Sequence, residues 1–458
     1  MTTVQDLVVI GAGPGGFAAA MRAAQLGGTV TLIEEASYGG HCMHQACIPS
    51  KFLLTAAQHV DAIRRAGRLG ILVGEPRIDL DVLHERKELI VDSLRIGMEQ
   101  LLSERGIRLV SGRGRLVAGD MVEVNGERIQ AHNTVIATGS LPTQLPIEGA
   151  DLPGVIGTEE ALALRQIPPR MAILRSGPPE IELAQYFQTM GSQVTLIEGG
   201  RQLLPGADGE LAQRLGKVLY DSGIAIKRGV AVASISRGDD ASLVVALADG
   251  KSEIPADRVV AARRLPNSAG LGLRQLGVET KQGAIVVDDG MRTTATHIYA
   301  IGDATGGPMW SHKANAEGLV AAENAMGLAS RMDYASLPIC LHTRPQVAWV
   351  GLTEEQAEGQ GLTVRVGKVP MAISASSLIS GESTGMIKIV AGRYGKILGA
   401  HIMAPGAVDL INTVSVAMLS ESTVGELMRF MPAHPATGEA LADAALDVEK
   451  RSLHLPDW

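Results

Sequence analysis

A glycine triplet, Gly11-x-Gly13-x-x-Gly16, stands between an apolar run and a small-residue segment, and it constrains the chain more than any other feature. Residues 6–10 (Asp-Leu-Val-Val-Ile) predict a buried parallel strand, because they form a short apolar run that stops at glycine. Residues 15–27 predict a helix. Residues 29–33 predict the next strand, closed by Glu34. In that strand–turn–helix context the triplet predicts a dinucleotide seat. Gly11 permits the tight turn, Gly13 lets backbone approach a pyrophosphate, and Gly16 allows close helix–strand packing. The helix N-terminus attracts phosphate, and Glu34 accepts from ribose hydroxyls.

The plan then repeats. Met171–Leu174 predicts a strand, Glu180–Met190 a helix, and Val194–Ile197 a strand ending at Glu198. Between the copies lie mostly helical residues 49–105, strands at Val122–Val124 and Val135–Thr138, and a linker punctuated by Pro142, Pro146 and Pro153. A strand at His297–Ile301 and a helix at Ala314–Met326 follow. From about Ser336 the texture changes to alternating strands (346–350, 386–391, 397–402) and two helices (408–419, 437–451), an α+β domain. A chain of 458 residues exceeds one hydrophobic core, which agrees with several domains. A net charge of -8 without a basic stripe argues against nucleic acid. With no basic leader and no long apolar run, the expected compartment is the cytoplasm, without a membrane partner.

Only three cysteines occur, and two of them, Cys42 and Cys47, lie just beyond the fingerprint. So few cannot form a disulfide scaffold. A thiol pair beside a dinucleotide predicts redox chemistry, since closing a disulfide releases two electrons. A structural disulfide and a zinc site formed with His41 and His44 are the competing readings, and the expected metal is none. Cys47 precedes a helix expected from Pro49, whose N-terminus favours the thiolate. Cys340 sits in an apolar run and reads as a buried small hydrophobe.

Two further segments, Thr134-Val135-Ile136-Ala137-Thr138-Gly139-Ser140 and Ile298-Tyr299-Ala300-Ile301-Gly302-Asp303, complete a pattern. The whole chain resembles the pyridine nucleotide–disulfide oxidoreductases. Residues 307–314 (Gly-Pro-Met-Trp-Ser-His-Lys-Ala) and 342–353 are most similar to the dihydrolipoamide dehydrogenase branch. The resemblance implies an α/β fold with two Rossmann-like dinucleotide-binding domains and a C-terminal α+β dimerisation domain. The expected segments are 1–148 and 271–332 for FAD, 149–270 for a nicotinamide-type domain, and 333–458 for dimerisation.

It also implies FAD held by Gly11, Gly13, Gly16, Glu34, Gly40, Lys51, Gly114, Thr138, Gly139, Ser140, Asp303, Met309 and His312. By the same resemblance Cys47 contacts the flavin, Cys42 exchanges with substrate, and Lys51 near the flavin has Glu182 as its acidic partner. Met431-Pro432-Ala433-His434-Pro435-Ala436-Thr437-Gly438-Glu439 resembles the catalytic dyad. There His434 moves the thiol proton, Glu439 orients the ring, and the dyad serves Cys42 of the other protomer in a homodimer. Three positions depart from the pattern: His41 and His44 replace Thr and Asn, and Trp310 replaces a small aliphatic. An imidazolium near Cys42 would depress its pKa.

The second fingerprint aligns at Arg175-Ser176-Gly177-Pro178-Pro179-Glu180, and only the middle glycine survives. Arg175 replaces the tight-turn glycine. Pro178 and Pro179 remove backbone donors, and Glu180 puts a carboxylate at the helix N-terminus. Arg263 replaces the glycine of a later Gly-Arg-x-Pro-Asn element. These changes predict weak or absent nicotinamide binding, with Arg175 and Glu180 paired across the vacant pocket. Glu198, placed to hold a ribose, speaks for NAD.

The leading expectation is a FAD-dependent oxidoreductase that oxidises lipoyl dithiols, free or on a carrier protein, and passes electrons to NAD or to another acceptor such as a protein. An ordinary NAD-dependent dihydrolipoyl dehydrogenase, a reductase of another small disulfide, and a FAD-containing adaptor docking lipoylated partners are the alternatives.

Overall fold

The computed structural model describes residues 4–239 and 242–456. The chain divides into two compact units. One comprises Met1–Leu53, Asp79–Leu145 and Ala262–Asp333, and the other Leu54–Ile78, Pro146–Ala261 and Tyr334–Trp458. Both breaks in the middle of the chain fall earlier than the sequence predicts. The reason for the second is the strand Ala262–Pro266, which pairs antiparallel with Ser140–Gln144 in the first unit. The proline-marked linker therefore contains a strand, with Pro142 in a two-stranded ribbon that asks little of its missing N–H.

The first unit is built on a sheet in the order Arg108–Ser111, Val30–Glu34, Gln5–Ile10, Glu127–Ile136, with Ile298–Ala300 also parallel on Glu127–Ile136. Leu7, Val8 and Val9 are all fully buried, as a strand covered on both faces requires. Helix Pro14–Gln25 packs on helix Ser311–Ala325 at glycine contacts. A Cβ on Gly15 would stand 2.9 Å from the Ala314 carbonyl oxygen, and one on Gly318 would stand 2.3 Å from that of Gly15. No larger residue fits either place. Arg22 and Glu323 add an ion pair of 2.7 Å between the same two helices.

The sequence predicts helix over most of residues 49–105. Helix Cys47–Arg65 and helix Leu80–Glu104 make up most of that stretch, as expected, and Asp79 caps the second by accepting from the Val82 N–H at 3.1 Å. The first of these starts at Cys47 itself, two residues before the expected Pro49.

In the second unit a parallel sheet runs Ala225–Arg228, Gln193–Glu198, Arg170–Leu174, Arg258–Val260, Val155–Ile156, with helix Pro178–Thr189 packed against it. A second sheet, antiparallel, runs Ile339–Leu341, Val347–Gly351, Ile397–Met403, Met386–Ala391, Arg365–Pro370. Helices Ala407–Leu419 and Gly438–Val448 cover it, and every residue of Met386–Ala391 is buried. Gly367 permits the contact with the last helix, since a Cβ there would meet the Ala444 carbonyl oxygen at 2.0 Å. Cys340 is partly buried at the edge of this core rather than enclosed in it. No helix among the described residues is long and apolar enough to cross a membrane.

A buried ion pair anchors the turn Gly302–Thr305 in the first unit. Lys313 and Glu317, 5% and 0% exposed, lie 3.0 Å apart on one face of their helix. Glu317 accepts from the Gly302 N–H at 2.7 Å, and Lys313 donates to the carbonyls of Gly302 and Gly306 at 3.3 and 3.2 Å. Removing one partner strands a desolvated charge, at a cost of about 3 to 5 kcal/mol. Lys313→Met is accordingly expected to lower unfolding free energy by roughly that amount in denaturant titration, and a change under about 1 kcal/mol would contradict the role given to the pair.

Candidate functional site

The first fingerprint folds as its residues require. Gly11 has φ +105°, and its N–H donates to the Ile33 carbonyl at 2.8 Å. A Cβ on Gly11 would lie 2.3 Å from the Ala137 carbonyl oxygen, and one on Gly16 would lie 1.8 Å from that of Gly11. Gly13 differs, because a Cβ there meets nothing within 4 Å. It borders open space at the N-terminus of helix Pro14–Gln25, where an anion is favoured. Glu34 is held by the Ala12 and Ala36 N–H groups at 2.7 and 2.9 Å. Across the sheet, Asp303 accepts from the Ser140 hydroxyl at 2.6 Å, while Arg264 donates to Ser140 Oγ at 2.8 Å. Thr138 and Gly139 sit on the same turn, bonded to Asn267: the Thr138 hydroxyl donates to its carbonyl at 2.6 Å and the Asn267 N–H to the Gly139 carbonyl at 2.9 Å. Gly40 is pressed against Gly13, since a Cβ on Gly40 would lie 2.7 Å from the Gly13 Cα, and Gly114 lies over Ile10 and Ile33. An open glycine turn, an oriented carboxylate after the second strand and Asp303 beyond it fit a dinucleotide such as FAD. Met309 is half-buried and His312 lies at the start of the neighbouring helix, where it stacks on Trp310 at 6.0 Å between centroids.

Cys42 and Cys47 lie in this first unit as two thiols in a hydrogen-bonded pair. Cys42 is on the short helix Gly40–His44, and Cys47 is the first residue of helix Cys47–Arg65. The thiols titrate as one system. The Cys42 thiol bonds to the Cys47 sulfur, and this, with burial second, holds the Cys42 proton on far above its ordinary range. The same bond, acting from the other side, brings Cys47 down to about 6 against the opposing effect of burial; Ser311, then the charge of Lys51, then its own N–H assist. The arrangement is a thiol–thiolate pair with the negative charge on Cys47.

Sequence reasoning missed Ser311, whose Oγ is 3.2 Å from Cys47 Sγ. The His44 ring has Nε2 2.9 Å from the Tyr38 carbonyl oxygen. Among the described residues no three His, Cys, Asp or Glu side chains gather to hold a metal ion.

Lys51 is in the first unit as well, whereas His434, Glu439 and Glu182 are in the second. His434 Nδ1 lies 2.8 Å from Glu439 Oε1, and Glu439 Oε2 accepts from the Ala436 N–H at 3.0 Å. The His434 bond is the main cause that lowers the Glu439 pKa, so the carboxylate stays charged and fixes Nδ1 as donor. Nε2 is left to act, on a side chain 75% exposed. Glu182 is 4% exposed and accepts from the His342 N–H at 2.8 Å.

The second fingerprint can be superposed residue for residue on the first. Arg175 stands where Gly11 does. Its φ is +78°, and its N–H donates to the Ile197 carbonyl at 2.7 Å, as that of Gly11 does to Ile33. A non-glycine residue bears strain of about 1 to 2 kcal/mol in that conformation. Gly177 stands where Gly13 does, but its open space is gone, because a Cβ there would lie 2.7 Å from Glu180 Oε2. Glu180 stands where Gly16 does and is 8% exposed. Burial raises its pKa, opposed by the charge of Arg175 and by the N–H groups of Glu180 and Gly177. Its carboxyl therefore fills the seat that the first copy leaves open.

Two expectations are corrected here. Arg175 does not pair with Glu180 to fill the pocket: it is exposed, among the described residues no hydrogen bond or ion pair joins the two, and Glu180 fills the space alone. Nor is Pro178 a lost donor, since Pro14 starts the first helix in the same way and only Pro179 is new. Glu198 also has its own partners, the Ser176 hydroxyl at 2.6 Å and the Gly200 N–H at 2.7 Å. Arg263 is exposed on the ribbon of the first unit.

Residues 5–318 match the family described as pyridine nucleotide-disulphide oxidoreductase, and residues 337–445 match the dimerisation domain of the same description. The chain is 38% identical to the dihydrolipoyl dehydrogenase of Thermus scotoductus over 98% of both chains. It is 33% identical to that of Bacillus subtilis, over 99% of this chain and all of the relative. Among solved structures it is similar to LpdA from Mycobacterium tuberculosis, with TM-score 0.88 and 26% identity, covering 96% of this chain and 98% of that one. It is also similar to the HOCl-induced flavoprotein disulfide reductase RclA from Escherichia coli, with TM-score 0.84 and 27% identity, covering 95% and 98%.

The thiol pair makes the stability of the reduced protein depend on pH in a way that can be signed. Unfolded, both thiols titrate near 8.5. Folded, one proton is lost near 6 and the other is retained far higher. Between about 6 and about 8.5 the unfolded chain binds more protons, so stability rises with pH there and falls above it. Denaturant titrations under reductant should show a maximum near pH 8.5 (roughly the free-thiol value) that Cys47→Ser abolishes. A profile unchanged by that substitution would remove the assignment of charge to Cys47.

Proposed function

Because the chain belongs to the pyridine nucleotide-disulphide oxidoreductase family, as a flavoprotein disulfide oxidoreductase of the dihydrolipoyl dehydrogenase type, we propose that it oxidises dihydrolipoyl groups and uses nicotinamide dinucleotide poorly or not at all. The substrate is carried over from the relatives' names. The observation that carries the nicotinamide part is the Glu180 carboxyl in the seat beside Gly177.

Gly11, Gly13, Gly16, Glu34, Gly40, Gly114, Thr138, Gly139, Ser140 and Asp303 would hold the FAD dinucleotide, with Lys51, Met309 and His312 near its ring end. When bound, FAD supplies a two-electron acceptor for the dithiol. The rest is done by side chains. A lipoyl thiolate attacks Cys42 in the Cys42–Cys47 disulfide, a lipoyl–Cys42 bond forms, and Cys47 leaves as thiolate. A low-pKa thiol is the better leaving group. The second lipoyl thiol, deprotonated, displaces Cys42 and closes the lipoyl disulfide. The dithiol has lost two electrons and two protons. The cysteine pair has gained both electrons, one proton rests on Cys42, and His434 holds the other. Glu439 stabilises the resulting imidazolium. A matched dimerisation domain supports a homodimer in which the dyad of one protomer serves Cys42 of its partner.

The carboxyl of Glu180 opposes a pyrophosphate in two ways: it occupies the volume, and it satisfies the amides an anion would need. Electrons then leave to another acceptor, such as a quinone or a redox protein. Anaerobic mixing tests both parts. Dihydrolipoamide should bleach the flavin stoichiometrically and micromolar NADH should not; rapid bleaching by NADH would defeat the second claim. In Arg175→Gly/Glu180→Gly the strain and the plug are both removed, and NADH reduction is expected to rise at least tenfold. His434→Gln should slow dihydrolipoamide oxidation by about 10² to 10⁴-fold, the usual worth of a positioned proton carrier.

A further inference from the structure

We propose that the Ser311 hydroxyl is a positioning residue for the disulfide exchange, donating a hydrogen bond to the Cys47 sulfur and holding it as thiolate whenever the pair is reduced. Two helices begin at this sulfur. Cys47 is the first residue of Cys47–Arg65, and Ser311 is the first residue of Ser311–Ala325. Each N-terminus carries unsatisfied amides and a positive potential, which lower a thiol pKa. The residue before Ser311, Trp310, has no side-chain capping bond, so no carboxylate or hydroxyl from the cap competes for that end.

The contact itself is 3.2 Å from Oγ to Sγ, within bonding range for sulfur. Either group can donate while Cys47 is a thiol. Once it is a thiolate, only serine has a proton to give, so the bond selects the charged form. The groups that act on Cys47 come from every side: the Cys42 thiol from Gly40–His44, Lys51 from its own helix, its own N–H, and Ser311 from the facing helix. Ser311 outranks Lys51 among the causes that lower the Cys47 pKa, although it is neutral. A half-buried lysine is partly screened by water, whereas a bond at contact distance is not. His312 lies next in sequence but stacks against Trp310. The hydroxyl also reaches Cys42, lowering its pKa to a lesser rank. With one proton to donate, it favours whichever sulfur carries the charge, which is Cys47.

The stabilised form is the leaving group when substrate attacks Cys42, so Ser311 acts through Cys47. This rests on the redox reading of the pair, but its test needs no turnover. Reduced holoprotein is alkylated with iodoacetamide across pH 4.5 to 9.5 (about two units either side of the expected midpoint), and modification at Cys47 is read by mass spectrometry. Ser311→Ala is expected to move the midpoint up by about one unit, a tenfold loss of thiolate at acidic pH. The same tenfold weakening of the reduced form lowers the dithiol/disulfide potential by about 30 mV. Ser311→Thr should restore both, and Ser311→Val, with the shape of threonine and no hydroxyl, should not. The Thr/Val pair keeps the test open if alanine disturbs the fold. Midpoints for Val and Thr within about 0.3 unit of each other would overturn the proposal. Failure of dihydrolipoamide to react at all, with the Thr/Val difference intact, would instead overturn the function proposed above.

Discussion

The close approach of helices Pro14–Gln25 and Ser311–Ala325 is the contact on which the first unit depends. Gly15 and Gly318 leave no room for a side chain, so backbone meets backbone and the second helix can sit in one place only. That placement brings its first residue to the redox sulfur. The turn before it, Gly302–Thr305, is then fixed by Lys313 and Glu317 from the same helix. The redox centre is thus held by elements more than 250 residues apart in the chain, a separation of 264 between Cys47 and Ser311.

Much of this was legible in the sequence because it is local. The fingerprint at Gly11–Gly16, the two βαβ copies and the Glu34 and Glu198 strand ends each depend on residues within about thirty positions, and periodicity with glycine placement specifies them. The family resemblance added the dyad His434–Glu439, whose short bond depends on five residues of separation. Ser311 was not legible, because a serine at a helix start is ordinarily a solvated polar residue. Only the packing of two remote helices gives it a sulfur to bond. Nor could the sequence decide what Arg175 does. A non-glycine residue in a glycine position predicts either a changed turn or a strained one, and the choice depends on the surrounding strands.

The two fingerprints carry an internal comparison. Both turns have left-handed first residues and make the same bond to the adjacent strand, 2.8 Å in one and 2.7 Å in the other. The difference lies in side chains: nothing stands above Gly13, and a carboxyl stands above Gly177. Glu198 and Glu34 likewise end equivalent strands and each accepts from the N–H two residues on, but the other partner differs, a serine hydroxyl for Glu198 and a backbone amide for Glu34. The duplicated scaffold survives where the chemistry of its mouth has diverged.

That preserved backbone bears on how such a chain can change. The Arg175 turn keeps the left-handed first residue and the bond to the next strand that the Gly11 turn has, although the side chains at its mouth differ, so the architecture and the ligand preference are separately adjustable. A lineage could shed or regain a cosubstrate by exchanging a few side chains at one helix start, with no insertion, deletion or re-threading of the core.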